Sequence, residues 1–233
     1  MTSEERQVAI VTGMSRGLGL ATTRALAGIG WIVVGDARSR DELQVSVDAV
    51  DGDVRAIAGD VTDPAHREQL VRAAISAGGL DLIVNNASIL GPSPQPFLDS
   101  YPLDTLEQVY RVNVLAPLAL TQAVLPLLRQ RRGVVVNVTS DAGRESYPGW
   151  GGYGSSKAAL DQLSRVLAAE EPDISVYRFD PGDMNTRMHQ EAFPGEDITD
   201  RPDPEQSVPS LLALIETRPA SGGYGVEAAL LTR

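Results

Sequence analysis

The sequence predicts an α/β fold with a doubly wound, mostly parallel sheet and helices on both faces. Short apolar runs rich in Val and Ile alternate with longer segments of helical spacing, which is typical of parallel strands joined by crossover helices. Several runs are apolar at consecutive positions, as in strands that are covered on both faces. No Pro/Gly/Ser-rich linker and no repeat divides the 233 residues, so we predict a single domain over residues 1–233.

The apolar runs predict the strands, and the segments between them predict the helices. The polar segment 1–6 is expected to be a flexible tail. Ligands of such sheets bind beyond the carboxyl ends of the strands, so the informative residues should follow the apolar runs. The predicted strands lie at 8–11, 31–35, 55–59, 81–86, 134–140 and 174–180, and the predicted helices at about 17–28, 40–49, 65–77, 103–130 and 153–170.

Composition excludes several function classes. The net charge of −11 offers no basic surface for phosphate backbones or anionic membranes, and a chain without cysteine has neither disulfides nor thiolate chemistry. The N-terminus does not resemble a signal peptide, and the most apolar stretch, 112–128, is short for a bilayer span. His66 and His189 show no metal-ligand spacing. We expect a cytoplasmic protein without metal, nucleic-acid or membrane partners.

A glycine cluster follows the first predicted strand. The segment "TGMSRGLG", residues 12–19, places Gly13, Gly17 and Gly19 at the start of the first helix. Glycine permits the tight turn and lets a diphosphate approach the backbone, while the helix N-terminus offers free N–H groups to the anion. Asp36 ends the next strand, near the position where dinucleotide-binding folds keep an acidic residue for the ribose hydroxyls.

A phenol and an ammonium group stand four residues apart in "YGSSK", residues 153–157. On a helix, Tyr153 and Lys157 would project from the same face and could share one pocket. The pair alone is also compatible with an ordinary solvated helix face.

With the glycines, "NNAS" at 85–88, "VNVTS" at 136–140 and "YGSSK" in this order, the sequence resembles the classical short-chain dehydrogenase/reductase family from about residue 7 to about residue 188. The resemblance implies a Rossmann fold and an oxidoreductase that transfers hydride between a nicotinamide cofactor and a carbonyl or alcohol carbon. It also implies a catalytic set of Ser140, Tyr153, Lys157 and Asn113.

The chemistry supports this set. Hydride transfer to a carbonyl leaves an alkoxide, which needs a proton donor and a second hydrogen bond. Tyr153 can donate the proton and Ser140 the bond. Positive charge from Lys157 and an oxidised nicotinamide would favour the phenolate.

The resemblance further implies the cofactor site. Asp36 should accept bonds from a ribose diol and repel a 2′-phosphate, so NAD is predicted, with NADP as the alternative through Arg16 and Arg38. Asp60 matches the residue that contacts adenine. The implied cofactor-binding residues are Gly13, Ser15, Arg16, Gly17, Leu18, Gly19, Asp36, Asp60, Val61, Asn86, Ala87, Tyr153, Lys157, Pro181, Gly182, Met184 and Thr186.

The substrate, a small carbonyl or alcohol compound, is expected against Asp141, Tyr147, Trp150 and Met188, beneath a flap at 187–206. The chain lacks the Asp-Gly-Gly-like ending of many members, so the resemblance implies a homodimer through the helices 103–130 and 153–170 and leaves a homotetramer in doubt. Ser88 stands where glycine is usual, a change expected to be mild.

Two rival functions stay open. A lyase or dehalogenase on this fold typically loses the cofactor glycines and the active-site lysine, which this chain retains. A dinucleotide-binding regulator without turnover usually loses the tyrosine or the lysine.

Overall fold

A computed structural model describes residues 6–226. Seven parallel strands form one sheet in the order β3-β2-β1-β4-β5-β6-β7, which confirms the predicted doubly wound α/β class. The predicted tail lies outside the described residues except for Arg6. The strands are β1 Val8–Val11, β2 Ile32–Ala37, β3 Asp53–Ala58, β4 Leu82–Asn85, β5 Val134–Val138, β6 Ser175–Asp180 and β7 Gly222–Gly225.

Helices cover both faces of the sheet. Leu26 of the helix 17–28 and Leu211 of the helix 208–217 belong to the core on one face, whereas Leu70 and Leu120 belong to the core on the other. The strand order reverses between β1 and β4, so a crevice opens above their carboxyl ends. The helices are α1 Gly17–Gly28, α2 Arg40–Asp48, α3 Pro64–Ala77, α4 Leu103–Tyr110, α5 Ala116–Arg131, α6 Gly151–Glu170, α7 Arg187–Ala192 and α8 Val208–Thr217.

Among the strands and α-helices of residues 6–226, three were not predicted. β7 has the sequence GGYG, which lacks the apolar pattern of a strand but pairs with β6 through its backbone. α7 has only six residues, too few for helical periodicity to show. α8 begins after Ser207 with a proline in its first turn, which is a start signal visible in the sequence. Part of the chain ending on which the oligomer prediction depends, residues 227–233, lies outside the described residues.

The predicted helix 103–130 is interrupted. One π-helical turn, Arg111–Leu115, joins α4 to α5 and carries Asn113. Such turns contain one extra residue and occur often at functional sites. Counted with its π-helical turn, the helical stretch Leu103–Arg131 has the length and composition of a membrane span, but 44% of its most apolar window is buried inside the fold. Its α5 part contacts β4, β5 and α3, as a core helix does.

Helix ends fix the geometry near the crevice. Ser39 caps α2 by accepting the N–H of Glu42, and Asp63 caps α3 by accepting the N–H of Ala65. By contrast, no side chain caps the N-terminus of α1. The first N–H groups of α1 therefore remain free to bind an anion.

Candidate active site

A cleft of about 1260 Å³ lies above the carboxyl ends of the central strands. It brings together most of the residues predicted from the sequence. Gly19, Asn113 and Tyr147 are the predicted site residues that do not line it. Those that do are Gly13, Ser15, Arg16, Gly17, Leu18, Asp36, Asp60, Val61, Asn86, Ala87, Ser140, Asp141, Trp150, Tyr153, Lys157, Pro181, Gly182, Met184, Thr186 and Met188.

The glycine loop has the shape that a diphosphate requires. Gly13 has φ +70° and Gly17 has φ +54°, both in the left-handed region that favours glycine. Gly19 lies below the loop, where an added Cβ would stand 2.2 Å from the carbonyl oxygen of Gly13 and 2.6 Å from Nδ2 of Asn86. Together with the uncapped start of α1, the loop fits a bound diphosphate.

Asp36 has a different environment from the one predicted. Its side chain is 2% exposed, Oδ1 accepts the N–H of Gly13 at 2.9 Å, and Oδ2 bonds Nε2 of His66 at 2.9 Å. Alternation along β2 places Asp36 on the same face as Ile32 and Val34, which pack with α3. Both oxygens of the carboxylate thus have partners inside the protein, whereas the NAD prediction assumed that they accept hydrogen bonds from a ribose diol.

The turn after β2 presents a cation to the cleft instead. Ala37 and Arg38 line the cleft, and no hydrogen bond or ion pair within residues 6–226 engages the guanidinium of Arg38. Arg16 lies nearby, within 3.4 Å of Glu42, with both side chains about half exposed. Asp60 accepts the N–H and hydroxyl of Thr62. This end of the cleft can hold an anionic group against either arginine.

Tyr153 and Lys157 lie on one face of α6, as their spacing predicts. Both side chains are buried, and Nζ of Lys157 is 5.4 Å from the centre of the Tyr153 ring. Lys157 donates a hydrogen bond to the carbonyl oxygen of Val138 at 2.8 Å. Burial lowers the pKa of Lys157 to about 8, against the opposing pull of the Asp161 and Asp180 carboxylates.

The phenol of Tyr153 is held protonated in the free protein. Burial raises its pKa well above the ordinary value, and the carboxylates of Asp180 and Asp141 raise it further. The nearby hydroxyl of Ser88 has an opposite effect, smaller than that of burial, and lowers the pKa. The group can therefore serve as a proton donor at neutral pH, and it needs additional positive charge to serve as a base.

Ser140 follows β5 and directs its hydroxyl to a neighbouring acid. Its Oγ donates to Oδ1 of Asp141 at 2.9 Å, and Oδ2 of Asp141 accepts the hydroxyl of Tyr147 at 3.0 Å. Tyr147 thus contributes to the site through Asp141 and not through the cleft wall. A substrate oxygen must draw the Ser140 proton away from Asp141.

Asn113 lies behind the cleft with its amide fully engaged. Oδ1 accepts the hydroxyl of Ser88 at 3.0 Å and the N–H of Ile89 at 2.9 Å. Nδ2 donates to the carbonyl oxygen of Ile89 at 2.9 Å and to Oγ of Ser156 at 3.0 Å. The side chain therefore fastens the loop after β4 to α6, and in this arrangement it does not reach the cleft.

Asp180, which was not predicted, ends β6 at the cleft. It bonds the N–H of Gly182 at 3.1 Å and a guanidinium nitrogen of Arg144 at 2.8 Å. Burial raises its pKa. A signal for it exists in the sequence, because Asp180 follows an apolar run in the same way as Asp36 and Ser140. The Arg144 pair joins the turn after Ser140 to the segment predicted to hold the nicotinamide.

An aromatic wall closes the far side of the cleft. The ring of Trp150 lies 5.9 Å from Tyr153 and 5.8 Å from Phe193, measured between centroids. Met188 of α7 packs against the same apolar cluster as Leu90. Phe193 was not predicted, since the segment around it is polar and Pro-rich. The position of Met188 and Phe193 brings the predicted flap segment into contact with this wall.

Several known oxidoreductases are similar to this chain in sequence. The sequence profile of short chain dehydrogenases matches residues 7–197. An uncharacterized oxidoreductase of Saccharomyces cerevisiae is 33% identical over 185 residues, covering 78% of this chain and 72% of that protein. Sepiapterin reductase of Mus musculus is 33% identical over 199 residues, covering 78% and 76%.

A solved structure agrees with the sequence comparisons. The alcohol dehydrogenase of the archaeon Thermococcus sibiricus, complexed with 5-hydroxy-NADP, superposes with a TM-score of 0.83 at 26% identity, covering 95% of this chain and 96% of that one. The sequence and fold similarities therefore indicate the same family. The chain belongs to the classical short-chain dehydrogenase/reductase family of oxidoreductases.

Proposed function

We propose that this oxidoreductase interconverts a carbonyl compound and an alcohol with NADP(H), using Ser140, Tyr153 and Lys157 at the reacting carbon. The observation that carries the proposal is the shared cleft. The phenol of Tyr153 and the hydroxyl of Ser140 line one end of it, and the glycine loop and Arg38 line the other. A dinucleotide extends between two such ends in a doubly wound fold.

Tyr153, Ser140 and Lys157 transfer the proton to the substrate oxygen and stabilise the charges that form. In reduction, the O–H bond of Tyr153 breaks as the substrate oxygen takes the proton, and the electron pair stays on the phenolate. Ser140 turns its hydroxyl from Asp141 to the same oxygen and stabilises its developing charge. The ammonium group of Lys157 stabilises the phenolate. A nicotinamide held by the glycine loop and the segment 181–186 would supply the hydride in this direction and would accept it in the other.

NADP(H) is favoured over NAD because of the acidic and basic groups around the end of β2. Both oxygens of the Asp36 carboxylate already have partners inside the protein, Gly13 and His66, which makes a bond from Asp36 to a ribose diol less favourable. Arg38 and Arg16 offer charge-assisted hydrogen bonds to a 2′-phosphate. The 5-hydroxy-NADP bound to the Thermococcus sibiricus alcohol dehydrogenase supports the same choice by similarity.

The substrate pocket lies between Asp141 and the wall of Trp150 and Met188. Its apolar and aromatic surface suits a carbonyl compound with a hydrophobic or ring-bearing group, and Asp141 disfavours an anionic group beside the carbonyl. The segment 187–206 would act as the flap over this substrate.

The cellular location and the oligomeric state are proposed from the family resemblance. We expect a cytoplasmic homodimer that pairs through α4, α5 and α6, where Leu115 and Val166 are exposed. A regulator without turnover is the rival function, and retention of both Tyr153 and Lys157 argues against it.

Fluorescence titration with NADPH and NADH, followed by turnover of a panel of ketones, tests the proposal. The protein should bind NADPH more tightly, and Arg38→Ala should weaken NADPH binding about 10-fold or more while changing NADH binding little. Tyr153→Phe should retain cofactor binding and lose turnover. Tight NADPH binding without turnover of any carbonyl compound would favour the regulator, and binding of neither cofactor would refute both functions.

A further inference from the structure

The hydroxyl of Ser140 is shared with the carboxylate of the next residue. Oγ of Ser140 donates to Oδ1 of Asp141 at 2.9 Å, and the same Oδ1 accepts the N–H of Ala142 at 2.8 Å. A serine hydroxyl has only one proton to donate. When Ser140 turns to the substrate oxygen, as the proposed function requires, Oδ1 of Asp141 therefore loses a donor.

The negative charge of Asp141 is not neutralised by a basic side chain. Its Oδ2 accepts the hydroxyl of Tyr147 at 3.0 Å, and no ion pair within residues 6–226 involves this carboxylate. Arg144, three residues further along the chain, pairs with Asp180 instead at 2.8 Å. Every hydrogen bond that Asp141 accepts from this part of the chain thus comes from a neutral group.

The carboxylate lies where a substrate would bind. Asp141 lines the cleft together with Ser140 and Tyr153, and it is an exposed residue. Burial, Asp180 and Asp141 all raise the pKa of the Tyr153 phenol, so the charge of Asp141 acts on a group at the reacting carbon. A ligand in the cleft can therefore contact this carboxylate directly.

We propose that Asp141 is a specificity-determining residue, which selects carbonyl compounds that carry a hydroxyl or ammonium group on the carbon next to the carbonyl. This inference rests on the proposed function, because it places the substrate oxygen against Ser140. The donor of the substrate replaces the Ser140 proton at Asp141. In the direction of oxidation, the same residue selects 1,2-diols and 1,2-amino alcohols.

The distances allow one small substrate to contact both residues. A substrate oxygen that accepts the Ser140 hydroxyl lies about 2.8 Å from Oγ, and Oγ lies 2.9 Å from Oδ1 of Asp141. The substrate oxygen and Oδ1 are therefore no more than about 6 Å apart. A donor on the carbon next to the carbonyl fits between these two oxygens.

The hydrogen bond to Asp141 distinguishes such a substrate from a plain ketone. With a plain ketone bound, Oδ1 keeps only the N–H of Ala142 once Ser140 has turned, and the ketone excludes the water that could replace the lost donor. A hydroxyl or ammonium group on the substrate restores that bond. Hydrogen bonds to an ionised carboxylate are stronger than those between neutral groups.

The test compares three phenyl ketones that suit the aromatic wall and differ beside the carbonyl. Hydroxymethyl phenyl ketone and aminomethyl phenyl ketone carry a donor, and methoxymethyl phenyl ketone carries none. In the wild-type protein, kcat/KM for each donor-bearing ketone should exceed that of the methoxy compound by about 10-fold or more. The ratio of two ketones is the readout, because a general loss of activity cancels in it.

Two variants separate the hydrogen bond from the charge. In Asp141→Ala, both ratios should fall to within about 3-fold of one. In Asp141→Asn, the amide oxygen still accepts a hydrogen bond, so part of the preference for the hydroxyl compound should remain while the preference for the amino compound is lost. Unchanged ratios in both variants would overturn the inference.

Asp183→Asn is the matched control. Asp183 also lines the cleft, its side chain is 66% exposed, and its nearest basic groups, His189 and Arg201, lie 3.8 Å away. Both ratios should stay at their wild-type values in this variant. A fall in Asp183→Asn equal to that in Asp141→Asn would assign the effect to the general negative charge of the cleft and overturn the inference.

The same assays separate this inference from the proposed function. Turnover of all three ketones with equal kcat/KM would overturn the role of Asp141 and leave the proposed function standing. Absence of turnover with every carbonyl compound would refute the proposed function and, with it, the substrate class inferred from Asp141.

Discussion

His66 and Asp36 form a buried pair, with Nε2 of the imidazole 2.9 Å from Oδ2 of the carboxylate. The other carboxylate oxygen accepts the N–H of Gly13. The pair therefore connects α3 to the glycine loop through the end of β2. The position of this acid in the sequence does not reveal these contacts, because the partners of both its oxygens come from other parts of the fold.

Asp36→Ala should weaken NADH and NADPH binding together. Without the carboxylate, the N–H of Gly13 and the imidazole of His66 lose their partners, and we expect a loss of about 2 to 5 kcal/mol in the free energy of unfolding. Fluorescence titration and urea unfolding measure the two effects. Arg38→Ala, in the same turn, is the control that should affect NADPH alone. A gain in NADPH preference by Asp36→Ala would restore the ribose role that the sequence predicted.

Asp180→Asn should move the lower pH midpoint of alcohol oxidation downward. The carboxylate raises the pKa of Tyr153, so a neutral amide at this position makes the phenolate easier to form. Arg144→Gln should move the midpoint upward, because Arg144 partly neutralises the same carboxylate at 2.8 Å. Steady-state profiles of kcat against pH measure both. If the pH midpoints of both variants moved in the same direction, the electrostatic explanation would be contradicted.

Lys157 should make the free protein more stable as pH rises from about 8 to 10. Burial lowers its pKa from 10.5 to about 8, so in this window the unfolded state binds more protons and stability rises with pH. The gain is on the order of 2 kcal/mol. Above pH 10 the raised pKa of Tyr153 acts oppositely, because the unfolded phenol then loses its proton first.

Urea unfolding at several pH values, without cofactor, measures the Lys157 effect as the difference between wild type and Lys157→Met. The variant should show a smaller rise over the same window. Equal slopes in the two proteins would mean that the ammonium group is not destabilised in the fold.

Gly19→Ala should disrupt the glycine loop. The added Cβ would stand 2.2 Å from the carbonyl oxygen of Gly13, so the loop or α1 must shift, at a cost of about 1 to 3 kcal/mol, and cofactor binding should fall. Gly28→Ala is the matched control in the same helix, since a Cβ there meets nothing within 4 Å. Thermal unfolding and cofactor titration should show lower stability and weaker cofactor binding in Gly19→Ala. Neither quantity should change in Gly28→Ala.

The sequence predicted the sheet and the central part of the cleft well, because strands buried on both faces are recognised from uninterrupted apolar runs. The face shared by Tyr153 and Lys157 depends only on helical spacing, which is local. The partners of Asp36 and Ser140 depend on contacts across the fold. His66 is 30 residues from Asp36, and no local pattern joins them.

Other features escaped prediction for a related reason. β7 pairs by its backbone, so its glycines give no side-chain signal. In the sequence, Ser88 is only a small departure from glycine, whereas in the fold its hydroxyl donates a hydrogen bond to Asn113. A departure from a family motif carries information only when the groups around it are known.

The π-helical turn Arg111–Leu115 has a consequence for how this chain tolerates changes in length. One extra residue in a helix rotates the preceding segment by about 100° relative to the succeeding one, so the turn lets α4 face α6 while α5 faces the sheet. A one-residue deletion inside the turn would give an unbroken α-helix that retains its hydrogen bonds but turns Val109 away from the core. The same deletion within α5 would instead displace Leu120 and Leu128 from the sheet. At this turn, therefore, a change of register would alter the packing of α4 and the position of Asn113 while α5 kept its contacts with the sheet.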